Sequence, residues 1–341
     1  MAERNSGPGP PVRIGVIGCG RIAQSYLEIL SNLSSAELSA VADLRVEAAK
    51  AAAEYASSLY FTDYLDQSLV EAVDAVLICT PPNTHHEIGR WFLSQKKAVL
   101  LEKPLTLAAA EAEDLEELSR KQDCLLMMAS KFRYLEDIVK AKVMLESGLI
   151  GRAQLAEITF ASRVDMKDRW NSNPEISGGG VLIDHGAHAV DIVRFLLGPI
   201  VEVNANSGPD VQGLGVEDSV RLGLHTTSGV LTRVDLTWSF DKPCEHFLSI
   251  YGNDGLLQVG WQGSRYRDDG RQGWTDFGSG YDKSKAIKRQ LMNFIDAIRH
   301  QQLPRITAQD ALASVQVIDA AYASLGDEGR WTSVKGIDDR I

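Results

Sequence analysis

The chain has 341 residues, 44% of them apolar, and a formal net charge of −11. That length exceeds what one core usually serves, so two lobes with a cleft between them are expected. With no dense cluster of Lys and Arg to follow a phosphate backbone, nucleic acid is excluded as a partner, and no run reaches the ~18 apolar residues of a membrane span. Residues 1–11 carry no apolar stretch of the kind a signal peptide needs and read as a disordered leader. Cys19, Cys79, Cys124 and Cys244 are scattered without a C-x-x-C pair, which fits reduced thiols in a cytoplasmic protein; no metal site is expected.

From Val12 the pattern is an apolar strand to Ile17, then Gly18-Cys19-Gly20-Arg21-Ile22-Ala23, then a periodic helix to about Leu33. Gly18 permits a tight turn, Gly20 lets a diphosphate approach the backbone, and small Ala23 lets helix pack on strand. The free N–H groups of the helix start, at Arg21 and Ile22, face the same anion. A second strand over 37–42 ends in Asp43-Leu44-Arg45. The Asp43 carboxylate suits a ribose diol and repels a 2′-phosphate, so NAD is favoured, with Arg45 leaving NADP as the minor case.

Strands over 74–78 and 97–101 alternate with helices, which implies a parallel, doubly wound sheet. Two loops follow strand ends, where ligands of such sheets sit. One holds Thr80, Pro81, Pro82, Asn83 and His86; the other holds Glu102, Lys103 and Pro104. Asn83 also suits a helix N-cap.

In the second half, strand-like runs at 153–160, 216–225, 230–238, 246–251 and 256–259 follow one another without helices, as in an antiparallel sheet. The segment 260–280, with Arg265, Tyr266 and Trp274, reads as a loop, either a subunit contact or a lid. Segments 283–300 and 308–325 have helical periodicity. Between the first two strand runs, Gly178-Gly179-Gly180 precede Asp184 and His188, one helical turn apart and so on one face, with Asp191 a turn further on. On a regular helix His188 lies about 40° from Asp184 and His185 about 100°, which favours His188 as the partner. Asp191 either orients His188 or pairs with Arg194.

Gly18-x-Gly20-x-x-Ala23, Thr80-Pro81-Pro82-Asn83-x-x-His86, Glu102-Lys103-Pro104, and the three glycines with Asp184-x-x-x-His188-x-x-Asp191 occur in one order. In this the chain resembles the Gfo/Idh/MocA family of glucose-fructose oxidoreductases and inositol dehydrogenases, over about residues 12–331. The resemblance implies an N-terminal Rossmann domain over 12–130, binding NAD or NADP, and a C-terminal α+β domain over 131–341 built on a large open, mostly antiparallel sheet. It implies Lys103, Asp184 and His188 as the catalytic set, and a polyhydroxylated substrate such as a sugar or cyclitol. It also implies cofactor contacts from the three strand-end loops just described. A homodimer or homotetramer through the uncovered sheet face is expected. Related readings are an NAD-dependent glycoside hydrolase and a non-catalytic NAD-binding sensor.

The family's polar-x-Arg pattern after the sixth strand is Lys131-Phe132-Arg133 here. A lysine replaces a neutral amide, so Lys131 and Arg133 are candidate substrate contacts, Lys131 for a substrate acid or phosphate. Arg169 and Trp170, before the glycines, are candidate substrate residues, with a packing role for Trp170 as the alternative.

Overall fold

Six short apolar runs make the first sheet of this computed structural model, which describes residues 9–270 and 273–336. Residues 1–8 of the expected leader lie outside the described residues. The strands are β1 (Val12–Ile17), β2 (Ala36–Ala42), β3 (Leu59–Phe61), β4 (Ala75–Ile78), β5 (Ala98–Glu102) and β6 (Leu126–Ala129). They lie in the order β3-β2-β1-β4-β5-β6, all pairings parallel. β4 and β6 are buried along their whole length, as strands covered by helices on both faces must be. Strand order reverses between β1 and β4, which opens a crevice at their carboxyl ends.

The second sheet contains β7 (Ala153–Ala161), β8 (Ile200–Ser207), β9 (Ser219–Thr226), β10 (Leu231–Thr237), β11 (His246–Gly252), β12 (Gly255–Gly260), β13 (Ser264–Asp268), β14 (Thr275–Gly278) and β15 (Thr332–Ser333). Its order is β14-β13-β12-β11-β7-β10-β9-β8-β15. Only β7 and β10 run parallel; the other pairings are antiparallel. The period-2 alternation puts Ile158, Val234 and Leu222 into a core shared with the helices Ala187–Leu197 and Ala308–Gly326, while Leu155 and Leu231 face outward.

Two sequence readings change here. Segment 260–280 is not a free loop, because it supplies β13 and the edge strand β14. The Arg265 and Arg267 guanidiniums lie 4.2 and 5.7 Å from the Trp274 ring centre, and the buried Asp137 carboxylate accepts the Gly280 N–H at 2.7 Å. Charged residues on the outward face hid the alternation. The lobes are also not divided by one cut at residue 130. Helix Lys283–Ile298 returns to the first lobe, where Ile287, Leu291 and Phe294 join its core and Gln290 donates to the Tyr26 hydroxyl at 2.9 Å. Among the described residues, no helix is long and apolar enough to cross a membrane.

Candidate active site

A cleft of about 940 Å³ runs from the β1 turn, past the ends of β2, β4 and β5, to the wall of the second lobe. This is at the upper end of the usual range for ligand sites. At its first end Gly18 has a φ of +87°, and a Cβ there would lie 2.8 Å from the Thr80 backbone nitrogen. Only glycine fits both the left-handed backbone and that approach. A Cβ on Gly20 would meet nothing within 4 Å, and the helix Arg21–Leu30 that follows has no side-chain cap. Space and uncapped N–H groups at a helix start make an anion cradle, so these residues fit a dinucleotide diphosphate.

At the end of β2, Asp43 accepts the Cys19 N–H at 2.8 Å and the Arg45 N–H at 2.9 Å. The Arg45 Nε sits 3.3 Å from the same carboxylate. Burial works against its ionisation, but the bonds from the Arg45 and Cys19 backbone and from the Arg45 side chain outweigh it, and the carboxyl stays below its ordinary value. An ionised, pre-oriented acid at this strand end suits a ribose diol.

Toward the second lobe, Lys103 from the loop after β5 reaches Asp184. Its ammonium donates to the Asp184 carbonyl oxygen at 3.0 Å and makes a short ion pair with the carboxylate. Burial favours the neutral acid, yet Lys103, followed by His185 and Lys131, holds the Asp184 carboxyl below its ordinary value. Asp184 lies in a π-helical turn, Leu182–Gly186, that feeds the helix Ala187–Leu197. Such turns recur at functional sites.

That turn overrides the angle drawn from a regular helix. One extra residue per turn brings both Asp184 and His185 onto the cleft wall, and His188 falls behind it, 7% exposed. The His188 Nε2 accepts a hydrogen bond from the Lys131 ammonium at 3.1 Å, and it is Lys131 that faces the cleft. Burial, with the charges of Lys131 and Lys103, pushes the His188 pKa well below the ordinary histidine value, so the ring is neutral.

Of the other expected residues, Arg21, Ile22, Leu44, Arg45, Thr80, Pro81, Glu102, Arg169 and Trp170 line the cleft, and Ala23 is buried beneath it as a close-packing residue. Four expectations need correction. Asn83 is exposed, does not line the cleft and caps no helix. His86 turns outward to the Asp114 carboxylate at 2.8 Å. Arg133 is buried, its Nε donating to Asp191 at 2.9 Å, so it meets no substrate. Asp191 accordingly serves neither His188 nor Arg194; it accepts from Arg133 and from the Ser130 hydroxyl, at 2.5 Å.

The three glycines pack inside the second lobe. None lines the cleft. A Cβ on Gly179 would strike the Tyr322 hydroxyl, and one on Gly180 the Glu217 backbone, so they allow close packing inside the second lobe. Glu217, unmarked in the sequence, accepts the Gly180 and Leu182 N–H groups at 2.8 and 3.1 Å and the Tyr322 hydroxyl at 2.8 Å. It thereby anchors the turn that carries Asp184. The histidine that matters in the Thr80 loop is His85, fully buried, its ring nitrogens 2.8 and 2.9 Å from the Pro104 and Thr80 carbonyl oxygens. It ties together the two strand-end loops that border the cleft. Burial lowers its pKa to about 4, so it donates to one carbonyl at a time. The neighbouring His86 masked it in the sequence.

Residues 12–130 match the family described as "Oxidoreductase family, NAD-binding Rossmann fold", and residues 138–258 match its "GFO/IDH/MocA C-terminal domain". The chain belongs to the Gfo/Idh/MocA oxidoreductase family. As members of it, the chain and myo-inositol 2-dehydrogenase of Thermotoga maritima are 27% identical over 93% of this chain and 97% of that one. A 4-carboxy-2-hydroxymuconate-6-semialdehyde dehydrogenase of a Sphingobium species is 26% identical, over 93% and 100%. Levoglucosan dehydrogenase, solved with NADH and levoglucosan, superposes with a TM-score of 0.87 over 95% of this chain and 99% of that one at 20% identity, a likeness of fold. By its family the protein is an NAD(P)-dependent oxidoreductase, with a parallel nucleotide-binding sheet and a mixed, mostly antiparallel second sheet.

Proposed function

We propose that the enzyme transfers a hydride between NAD and a secondary alcohol or ketone of a polyhydroxylated small molecule, a sugar, cyclitol or derivative, with Lys103, Asp184 and His188 as its catalytic set. The observation that carries this reading is the Lys103–Asp184 ion pair on the wall of the cleft that begins at the Gly18–Gly20 cradle. A bound nicotinamide supplies the hydride acceptor, or the donor in the reverse direction. Lys103 places positive charge where an alkoxide develops, and Asp184 accepts a hydrogen bond from a substrate hydroxyl, which fixes the carbon presented. His188, neutral, takes the alcohol proton in one direction and returns it in the other. Its Nε2 is held by Lys131, so His188 acts when Lys131 turns to another acceptor.

The test is a panel of sugars, inositols and their ketones with NAD and NADP, followed by the absorbance of the reduced cofactor. No hydride transfer on any of them would sink the proposal, and sugar release without accumulating NADH would mark a hydrolase instead. NAD is expected to be preferred because of Asp43. In Asp43→Ser we expect kcat/KM for NAD to fall roughly tenfold, the worth of one charged hydrogen bond, with NADP unchanged or improved. An unaltered NAD-to-NADP ratio removes the ribose role.

The outward face of the second sheet bears exposed Leu155 and Leu231 among ion pairs such as Arg221–Asp235 and Lys242–Asp235. This mixed surface supports a homodimer or homotetramer, and a monomer by light scattering at micromolar concentration would refute it. The free cysteines, Cys19 and Cys79 buried among them, fit a cytoplasmic setting.

A further inference from the structure

Among the described residues no carboxylate is in an ion pair with Lys131. It stands on the cleft wall in a 3-10 turn, Lys131–Tyr134, that follows β6, with its ammonium 5.3 Å from the Phe132 ring centre. The charged groups that face it are Glu102 and Lys103 from the end of β5, Asp184 from the π turn, and Lys283 from the start of the returning helix. Neither acid is bonded to it. Asp184 is taken by Lys103, while Glu102 accepts the Tyr26 hydroxyl at 2.7 Å and the Lys103 N–H at 3.1 Å. Among the described residues the Lys131 side chain makes one hydrogen bond, to the neutral His188 ring, although an ammonium has three N–H donors. Arg169, on the same cleft, is in no ion pair among the described residues.

A half-buried ammonium on the cleft wall whose one protein acceptor among the described residues is neutral has N–H donors free for a ligand. Burial, with Lys103 and Lys283 nearby, lowers its pKa to about 8 against the opposing pull of Glu102 and Asp184. A chain of net charge −11 has carboxylates in abundance, yet none among the described residues is bonded to this ammonium. We propose that the substrate carries an acidic group, a carboxylate or phosphate, which Lys131 binds with help from Arg169, and that this binding draws Lys131 away from the His188 Nε2. The proposal rests on the reading of His188 as the proton acceptor and names the class of its substrate: an acidic polyol such as a uronic, aldonic or phosphorylated sugar. Recognition and catalysis are then linked, since a neutral polyol leaves Lys131 on the nitrogen that must take the proton.

The test is calorimetric binding to the NAD-saturated protein, which reads recognition whether or not the probe turns over. D-glucuronate, D-gluconate and a glucose monophosphate are each compared with D-glucose and D-glucitol. At least one acid is expected to bind about tenfold or more tightly than its neutral counterpart at neutral pH. That advantage should fall below about threefold in both Lys131→Met and Lys131→Gln; the amide keeps a donor for His188 but not the charge. An anion raises the Lys131 pKa above its free value, so binding near pH 9 should take up about one proton per site, and binding near pH 7 very little. The uptake should vanish in both variants. Binding that prefers no acid, or a preference that survives loss of Lys131, overturns the inference. An absence of hydride transfer with acid binding intact would instead overturn only the proposed activity. Carboxylate and phosphate are separated by which probes gain.

Discussion

Replacing Lys103 with methionine is expected to lower kcat by on the order of 10²–10³-fold, the usual consequence of removing a donor aimed at developing negative charge. At 1.36 kcal/mol per tenfold, that is about 3–4 kcal/mol of transition-state stabilisation. The loss has a second signature. Burial and the Lys103 ammonium act in opposite directions on Asp184, and the ammonium is the largest of the effects that keep the carboxyl below its ordinary value. Without it, burial prevails and the folded-state pKa rises. A carboxylate that must be ionised to accept a substrate hydroxyl loses function as pH falls through its pKa, so the acid limb of kcat/KM should move to higher pH in Lys103→Met. A merely structural lysine would lower the plateau or the stability without moving the limb. Methionine preserves length and apolar contact, and a thermal melt checks the fold. A loss under tenfold with an unmoved limb would remove Lys103 from the chemistry.

How much could be read in the sequence depended on whether a feature was local. The β1 turn, the Asp43 strand end and the Lys103 loop each combine a strand, a glycine or proline and a polar residue within a few positions, and each lines the cleft. The two long C-terminal helices were placed within two residues by their periodicity. The failures came from information outside the segment. A wheel of regular helical pitch put His188 beside Asp184, and the π turn put His185 there instead, because the turn is fixed by Glu217, 37 to 35 residues away along the chain. His85 and His86 are adjacent, and only the packing of the Lys103 loop decides which is buried. The short β3, the edge strands β14 and β15 and the adjoining β13 have weak alternation, and their pairing partners define them. The Lys131 ammonium was visible as an odd residue in a family pattern; that no carboxylate of the cleft is bonded to it was not.

The largest stability effect is expected at Arg133, the residue moved from substrate contact to the interior. Its guanidinium is held between Asp191, with Nε and Nη2 at 2.9 and 2.8 Å, Asp310 at 3.5 Å and the face of Phe195 at 5.4 Å. Asp191 has no solvent exposure, and its other oxygen accepts the Ser130 hydroxyl. Removing one partner of such a pair leaves the other charge buried and uncompensated, which costs about 3–5 kcal/mol, whereas removing both is often close to neutral. Arg133→Met is therefore expected to lower the melting temperature by several degrees, and Arg133→Met with Asp191→Leu to cost less than Arg133→Met alone. The pair joins the turn carrying Lys131 to the helix carrying His188, so the single variant should also weaken acid binding in the cleft, and the double variant should recover stability more fully than binding. Denaturant midpoints for the four members of the cycle measure the coupling. If Arg133→Met costs under about 1 kcal/mol, Asp191 has water or another cation within reach, and the turn is held by its apolar contacts instead.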